Sequence, residues 1–181
     1  MQEIEEALAA LIGAQLTDMW CYAGRQVLEF GEQVPFVNKK GKHVSRAPAS
    51  LILSCDWQLW DGVEIILSSS DFIPERRDGD ADGFYGFIAT APPQVETVVV
   101  LEQGALRLLL SSGHTLEVNP TAWNSPHQAF LPGEQWRFIA DTMPDEQLVI
   151  TSTGYEFIDC ESFTPLVARG MQSRKPETST T

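Results

Sequence analysis

The chain has 181 residues, 43% of them hydrophobic and 20% charged, with 12 Lys and Arg against 25 Asp and Glu. That length sustains one domain, or two tightly packed halves, around a core that needs no disulfide or metal. The formal net charge of −13 turns the averaged surface field against nucleic acid and anionic membranes and toward basic partners, although the same charge also keeps a protein dissolved.

Cys21, Cys55 and Cys160 are odd in number and show no CxxC or Cys/His ligand spacing, which fits free thiols in a reducing compartment. Residues 1–13 place Glu3, Glu5 and Glu6 ahead of a short apolar run and lack the basic start of a secretory signal; no stretch reaches the ~20 apolar residues of a membrane span. A cytoplasmic protein is the expectation.

Ile4, Leu8, Leu11 and Ile12 recur at helical spacing behind the acidic first turn, with Gly13 as the stop, so a short amphipathic helix opens the chain. It reads as a cover for the protein's own core, with a partner-binding helix as the alternative. Gln15 to Tyr22 and Gln26 to Phe30, separated by Ala23-Gly24, read as a hairpin. After Gly31 the pattern dissolves into VNKKGKHVSR, which gathers Lys39, Lys40, Lys42 and Arg46 around Gly41. A basic loop of this kind can bind an anion through lysine charges and backbone N–H groups. A solvated hairpin tip is the plainer reading, since P-loop glycine spacing and interleaved aromatics are missing.

Ser50 to Asp71 reads as strand, turn, strand. Leu51, Leu53, Cys55, Trp57 and Leu59 share one face, Asp61-Gly62 makes the turn, and Val63, Ile65 and Leu67 continue the core. Trp60, an odd number of residues from Trp57, faces the other way and is a candidate partner anchor. Asp71, at the end of the apolar strand, is a second candidate, with a turn cap as its alternative. Asp78, Asp80, Asp82 and Gly83 match the first half of a calcium loop, but its twelfth position is Ala89 where a bidentate Glu belongs, so a polar loop is expected.

From Val95 the strand pattern resumes. Val95, Thr97, Val99 and Leu101 alternate on one face, Leu106, Leu108 and Leu110 follow Gln103-Gly104, and Leu116 and Val118 follow Ser112-Gly113, which together make a meander. A Pro-punctuated loop, Asn119 to Glu134, holds Trp123, an aromatic expected to be exposed and the third partner-binding candidate. Gln135 to Ala140 and Gln147 to Ser152 make another strand pair, and Tyr155 to Ile158 a last short strand.

The fold class is therefore mainly β (α+β), with antiparallel meander sheets and a short N-terminal amphipathic helix. Two stretches match each other in outline, since both run from a strand pair split by a glycine turn to a tryptophan-bearing strand (Trp57, Trp136) and then an apolar strand. Two similar β-units packed together would bury faces that neither could bury alone. One globular domain over 1–167, with halves 1–71 and 94–158, and a disordered tail over 168–181 is the expected organisation.

Catalytic signatures are missing. The histidines, His43, His114 and His127, lie in turns and loops without a motif for nucleophilic, zinc or nucleotide chemistry, and Asp56, Asp61, Asp71, Asp141 and Glu156 are scattered over strand ends. No catalytic residue, metal ligand or cofactor is expected.

LIGAQLTDMW with its following LEFG, then LILSCDWQLWDGVEIILSSSD, and then ALRLLLSSGHTLEV leading to EQWRF give the chain a resemblance to a loose group of small bacterial β-rich proteins of unknown function. In size and character that group is similar to immunity and accessory proteins of bacterial toxin and defence systems. The resemblance implies a non-enzymatic acidic protein that neutralises or regulates a basic protein partner. A ligand-binding protein or enzyme using a cleft between the β-units, and a structural or oligomer-forming module, are the alternatives.

Overall fold

The computed structural model describes residues 2–22, 25–37, 41–72, 86–88, 91–120 and 133–159. Helix α1 (Gln2–Leu8) runs into a 3-10 turn (Ala9–Leu11), burying Ile4, Leu8 and Leu11. Ile12 lies beyond the turn and is exposed, because the helical period ends before it.

Thirteen strands follow among the described residues. A six-stranded antiparallel sheet contains, in spatial order, β1 (Leu16–Tyr22), β2 (Arg25–Phe30), β5 (Ala49–Leu53), β11 (Glu134–Ala140), β12 (Glu146–Thr151) and β13 (Gly154–Asp159). A five-stranded sheet is ordered β7 (Ile65–Ser68), β6 (Asp56–Trp60), β10 (Thr115–Asn119), β9 (Leu106–Leu110), β8 (Val95–Val100). The inward residues of both sheets form a single core with Trp57, Trp136, Phe30 and Phe138 wholly inside.

Within that plan, two halves repeat one another's pairing. Strands β1, β2 and β5 lie in one sheet and β6–β7 in the other; strands β8, β9 and β10 lie in the second sheet and β11–β12 in the first. Both opening hairpins carry the same bulge, one residue after Leu16 and after Val95. Leu16 N–H donates to Pro93 O and Val95 N–H to Ala14 O, both at 2.9 Å, about the Gln15–Gln94 bridge. Gly31 N–H then donates to Gln15 O, and Ser111 N–H to Gln94 O. The halves are thus interleaved: each sheet is completed by strands from the other half, where two units stacked on one another were expected.

The two matched tryptophans show what holds each half together across the two sheets. Trp57 Nε1 donates to Gln26 Oε1 on β2, and Trp136 Nε1 donates to Gly104 O in the β8–β9 connection at 2.7 Å. Each indole sits on the strand that has changed sheets and reaches back across the core to the first hairpin of its own half. A buried indole N–H needs such an acceptor. At Gly104 the backbone has φ +76, and a Cβ there would collide with Ile150 Cγ2.

Several sequence expectations are corrected. Ser50 to Leu59 is not one strand: β5 and β6 belong to different sheets, and the chain changes sheet at Ser54–Cys55. The alternation runs through this corner because both sheets face the same core. The hairpin is β6–β7, and a bulge after Leu59 pairs Trp60 with Ile65, which lifts Ile65 out of the core while Leu67 stays in. Val63, in the turn, is 84% exposed. The bulge after Val95 likewise turns Thr97 and Val99 outward and Val98 and Val100 inward. Beyond Gly31, where a hairpin tip was the plainer reading but no strand bounds were drawn, β3 (Val34–Val37) and β4 (His43–Arg46) form a separate hairpin. It occupies the place that a tight turn at Ser111–Gly113 fills in the second half.

Candidate partner-binding face

The six-stranded sheet is buried on both faces over its middle strands, while its edge strand β13 is largely exposed. Its inner face joins the core, and its outer face buries Val27, Ile52 and Val149 together with Arg25, Glu29, Ser50, Glu134, Arg137 and Gln147. Arg137 grips Glu134 through two hydrogen bonds, Nε to Oε1 at 3.1 Å and Nη2 to Oε2 at 2.9 Å, and Nη1 donates to Gln147 Oε1 at 2.7 Å. Burial pushes the Arg25 guanidinium below its ordinary value; Glu134 nearby opposes that and Arg137 adds to it. Glu29 Oε2 accepts from Gln33 Nε2, and burial raises its carboxyl. Sequence reading missed this cluster, since alternation on a strand marks Arg137 as a residue for water.

The five-stranded sheet is different. Trp57, Leu59, Leu106, Leu108, Leu116 and Val118 fill its inner face, which leaves Gln58, Trp60, Arg107, Leu109, Thr115 and Glu117 on the outer one. The register sets two rows across the strands. One is Ile65, Trp60, Thr115, Leu109 and Thr97; the other is Ser68, Gln58, Glu117, Arg107 and Val99. The first row is largely apolar and open, with Ile65 at 45% and Leu109 at 37% exposure. The half-buried Trp60 lies between them, and its Nε1 has no acceptor among the described residues. The second row is polar, and Arg107 Nη2 meets Glu117 Oε1 at 2.6 Å.

Acidic groups dominate this sheet and its turns. Residues 56–72 and 91–119 carry Asp56, Asp61, Glu64, Asp71, Glu96, Glu102 and Glu117, against Arg107 alone among Lys and Arg. Asp61 Oδ1 accepts from the N–H groups of Val63 and Glu64, and these backbone hydrogen bonds hold its carboxyl below the ordinary range.

The other sequence candidates fall apart from one another. Asp71 is engaged by its own turn, with Oδ2 accepting from Ser68 N–H at 2.7 Å and from Ser68 Oγ at 2.8 Å, so its carboxylate is a cap. Arg46 Nη2 pairs with Asp141 Oδ1 at 2.6 Å, which ties β4 to the β11–β12 turn and commits a group expected to await an anion. Lys42 is exposed beside β4. Lys39, Lys40, Trp123, His127, Cys160, the Asp78–Gly83 segment and the 168–181 tail lie outside the described residues.

His114 Nδ1 approaches Ser112 O at 3.1 Å and Ser112 Oγ at 2.9 Å, and the tautomer decides which of them it donates to or accepts from. Among the described residues no three His, Cys, Asp or Glu side chains are placed to hold a metal ion. The Cys55 thiol is buried and its pKa is pushed up to about 12, chiefly by desolvation, which makes it unreactive. No described helix is long and apolar enough to cross a membrane. Comparison with protein-family models, with curated proteins and with solved structures returned no match.

Proposed function

We propose that this chain is a non-enzymatic acidic protein that binds a basic protein partner and neutralises or regulates it, in the manner of an immunity protein. The observation that carries this reading is the charge of the five-stranded sheet and its turns: seven carboxylates against one arginine, itself already paired with Glu117. Such a field speeds encounter with a positive surface and rejects negative ones, and it acts without a reacting group.

The test is capture by the full-length chain from a native lysate at graded ionic strength, with the retained protein identified. A basic protein whose retention falls steeply as salt rises is the expected result. Retention of nothing basic at low salt would remove the proposal.

A further inference from the structure

We propose that the outer face of the five-stranded sheet receives a basic amphipathic helix of the partner, lying across β7, β6, β10 and β9 with its apolar side on Ile65, Trp60 and Leu109. This rests on the reading above and narrows it to one surface and one kind of partner segment.

The geometry favours a face over an edge. A strand added to this sheet at β7 would need the outward N–H of Ser68, and Asp71 Oδ2 already occupies it at 2.7 Å. The face, in contrast, offers an apolar row that runs across the strands. Three inter-strand steps of about 4.8 Å carry it about 15 Å from β7 to β9. Ten residues of helix at about 1.5 Å each span the same length, and their i, i+3, i+4 and i+7 positions lie along one side. A helix is also the element that usually covers an open sheet face.

Charge selects the occupant further. The apolar row ends near Asp61 and Glu64 in the β6–β7 turn and near Glu96 on β8, while Glu117 flanks it. Lysines and arginines on the borders of the helix's apolar side would meet those carboxylates. A second copy of this chain would bring the same acidic groups against them and be repelled, at a net charge of −13 per chain.

The test uses the full-length chain and two synthetic peptides of equal charge, one with leucines at helical spacing among lysines and one with those leucines replaced by serine. Amide shifts on titration with the first should concentrate in β6, β7, β9 and β10. The double variant Ile65→Ser with Leu109→Ser should bind it about tenfold more weakly while still unfolding in one cooperative transition, at a denaturant midpoint high enough to keep it folded during the titration. Equal binding of both peptides with scattered shifts, or full affinity in the variant, overturns the docking face and leaves the basic-partner reading standing. Failure to bind either peptide at low salt overturns both. Self-association of the wild-type chain that the double variant abolishes, measured by sedimentation, assigns the face to a second copy and overturns the proposal as well.

Discussion

The two sheets present the same kind of ion pair in opposite settings. Arg137 and Glu134, on the outside of the six-stranded sheet, are 2% and 0% exposed; Arg107 and Glu117, on the outside of the five-stranded sheet, are 44% and 24% exposed. In the first case water has been removed from both charges, and Gln147 fills a further guanidinium position. The wet pair remains free to exchange partners. Burial, not residue type, decides that one outer face is closed to water and the other is open to it.

The strongest way to break this comparison is to remove one arginine at a time. Arg137→Met removes the paired hydrogen bonds that Glu134 receives inside the protein and should cost about 3–5 kcal/mol of unfolding free energy, read from urea denaturation. Arg107→Met should cost about 0–1 kcal/mol, and similar losses for the two variants would refute the distinction. Truncating an apolar side chain on each face sharpens it: Ile52→Ala should lose about 2–4 kcal/mol as a buried cavity, and Leu109→Ala less than about 1 kcal/mol because water already reaches it.

A smaller effect is expected at Glu29. Burial raises its carboxyl above the ordinary 4.5, against the hydrogen bonds from Gln33 and Trp20. The folded chain therefore holds this proton more tightly than the unfolded chain does. The resulting penalty is absent below about pH 4.5, grows as pH rises through the folded value, and is complete above it. Glu29→Gln should raise the neutral-pH unfolding midpoint and flatten that part of the stability–pH curve. An unchanged profile would show that this side of the sheet is wetter than its neighbours imply.

Much of the strand pattern was legible. The meander from Val95, the pair around Trp136 and the match between Trp57 and Trp136 all follow from alternation and turn residues, and the structure places them accordingly. The change of sheet at Ser54–Cys55 was hidden because Leu51, Leu53, Cys55, Trp57 and Leu59 keep one alternation while passing between two sheets that share a core. The bulges after Leu59 and Val95 were hidden too, since one extra residue leaves no mark on composition yet reverses every side chain beyond it. Of the candidate face, Trp60 could be singled out from its spacing to Trp57. Its neighbours Leu109 and Ile65 could not, because they meet it only through a register set by strands far apart in the chain.

The interleaving of the halves bears on how the chain reaches this structure. When synthesis has delivered β7, strand β5 still awaits β11 and strand β6 still awaits β10, so both growing sheets stand with an unpaired inner edge. Hydrogen bonds between β5 and β11, such as those around Leu53 and Trp136, join residues far apart in sequence and form only after the intervening chain has been made. Folding should therefore be slow. During that interval the apolar strand Ala49–Leu53, later covered on both sides and both edges, is the segment most exposed to mispairing with other chains.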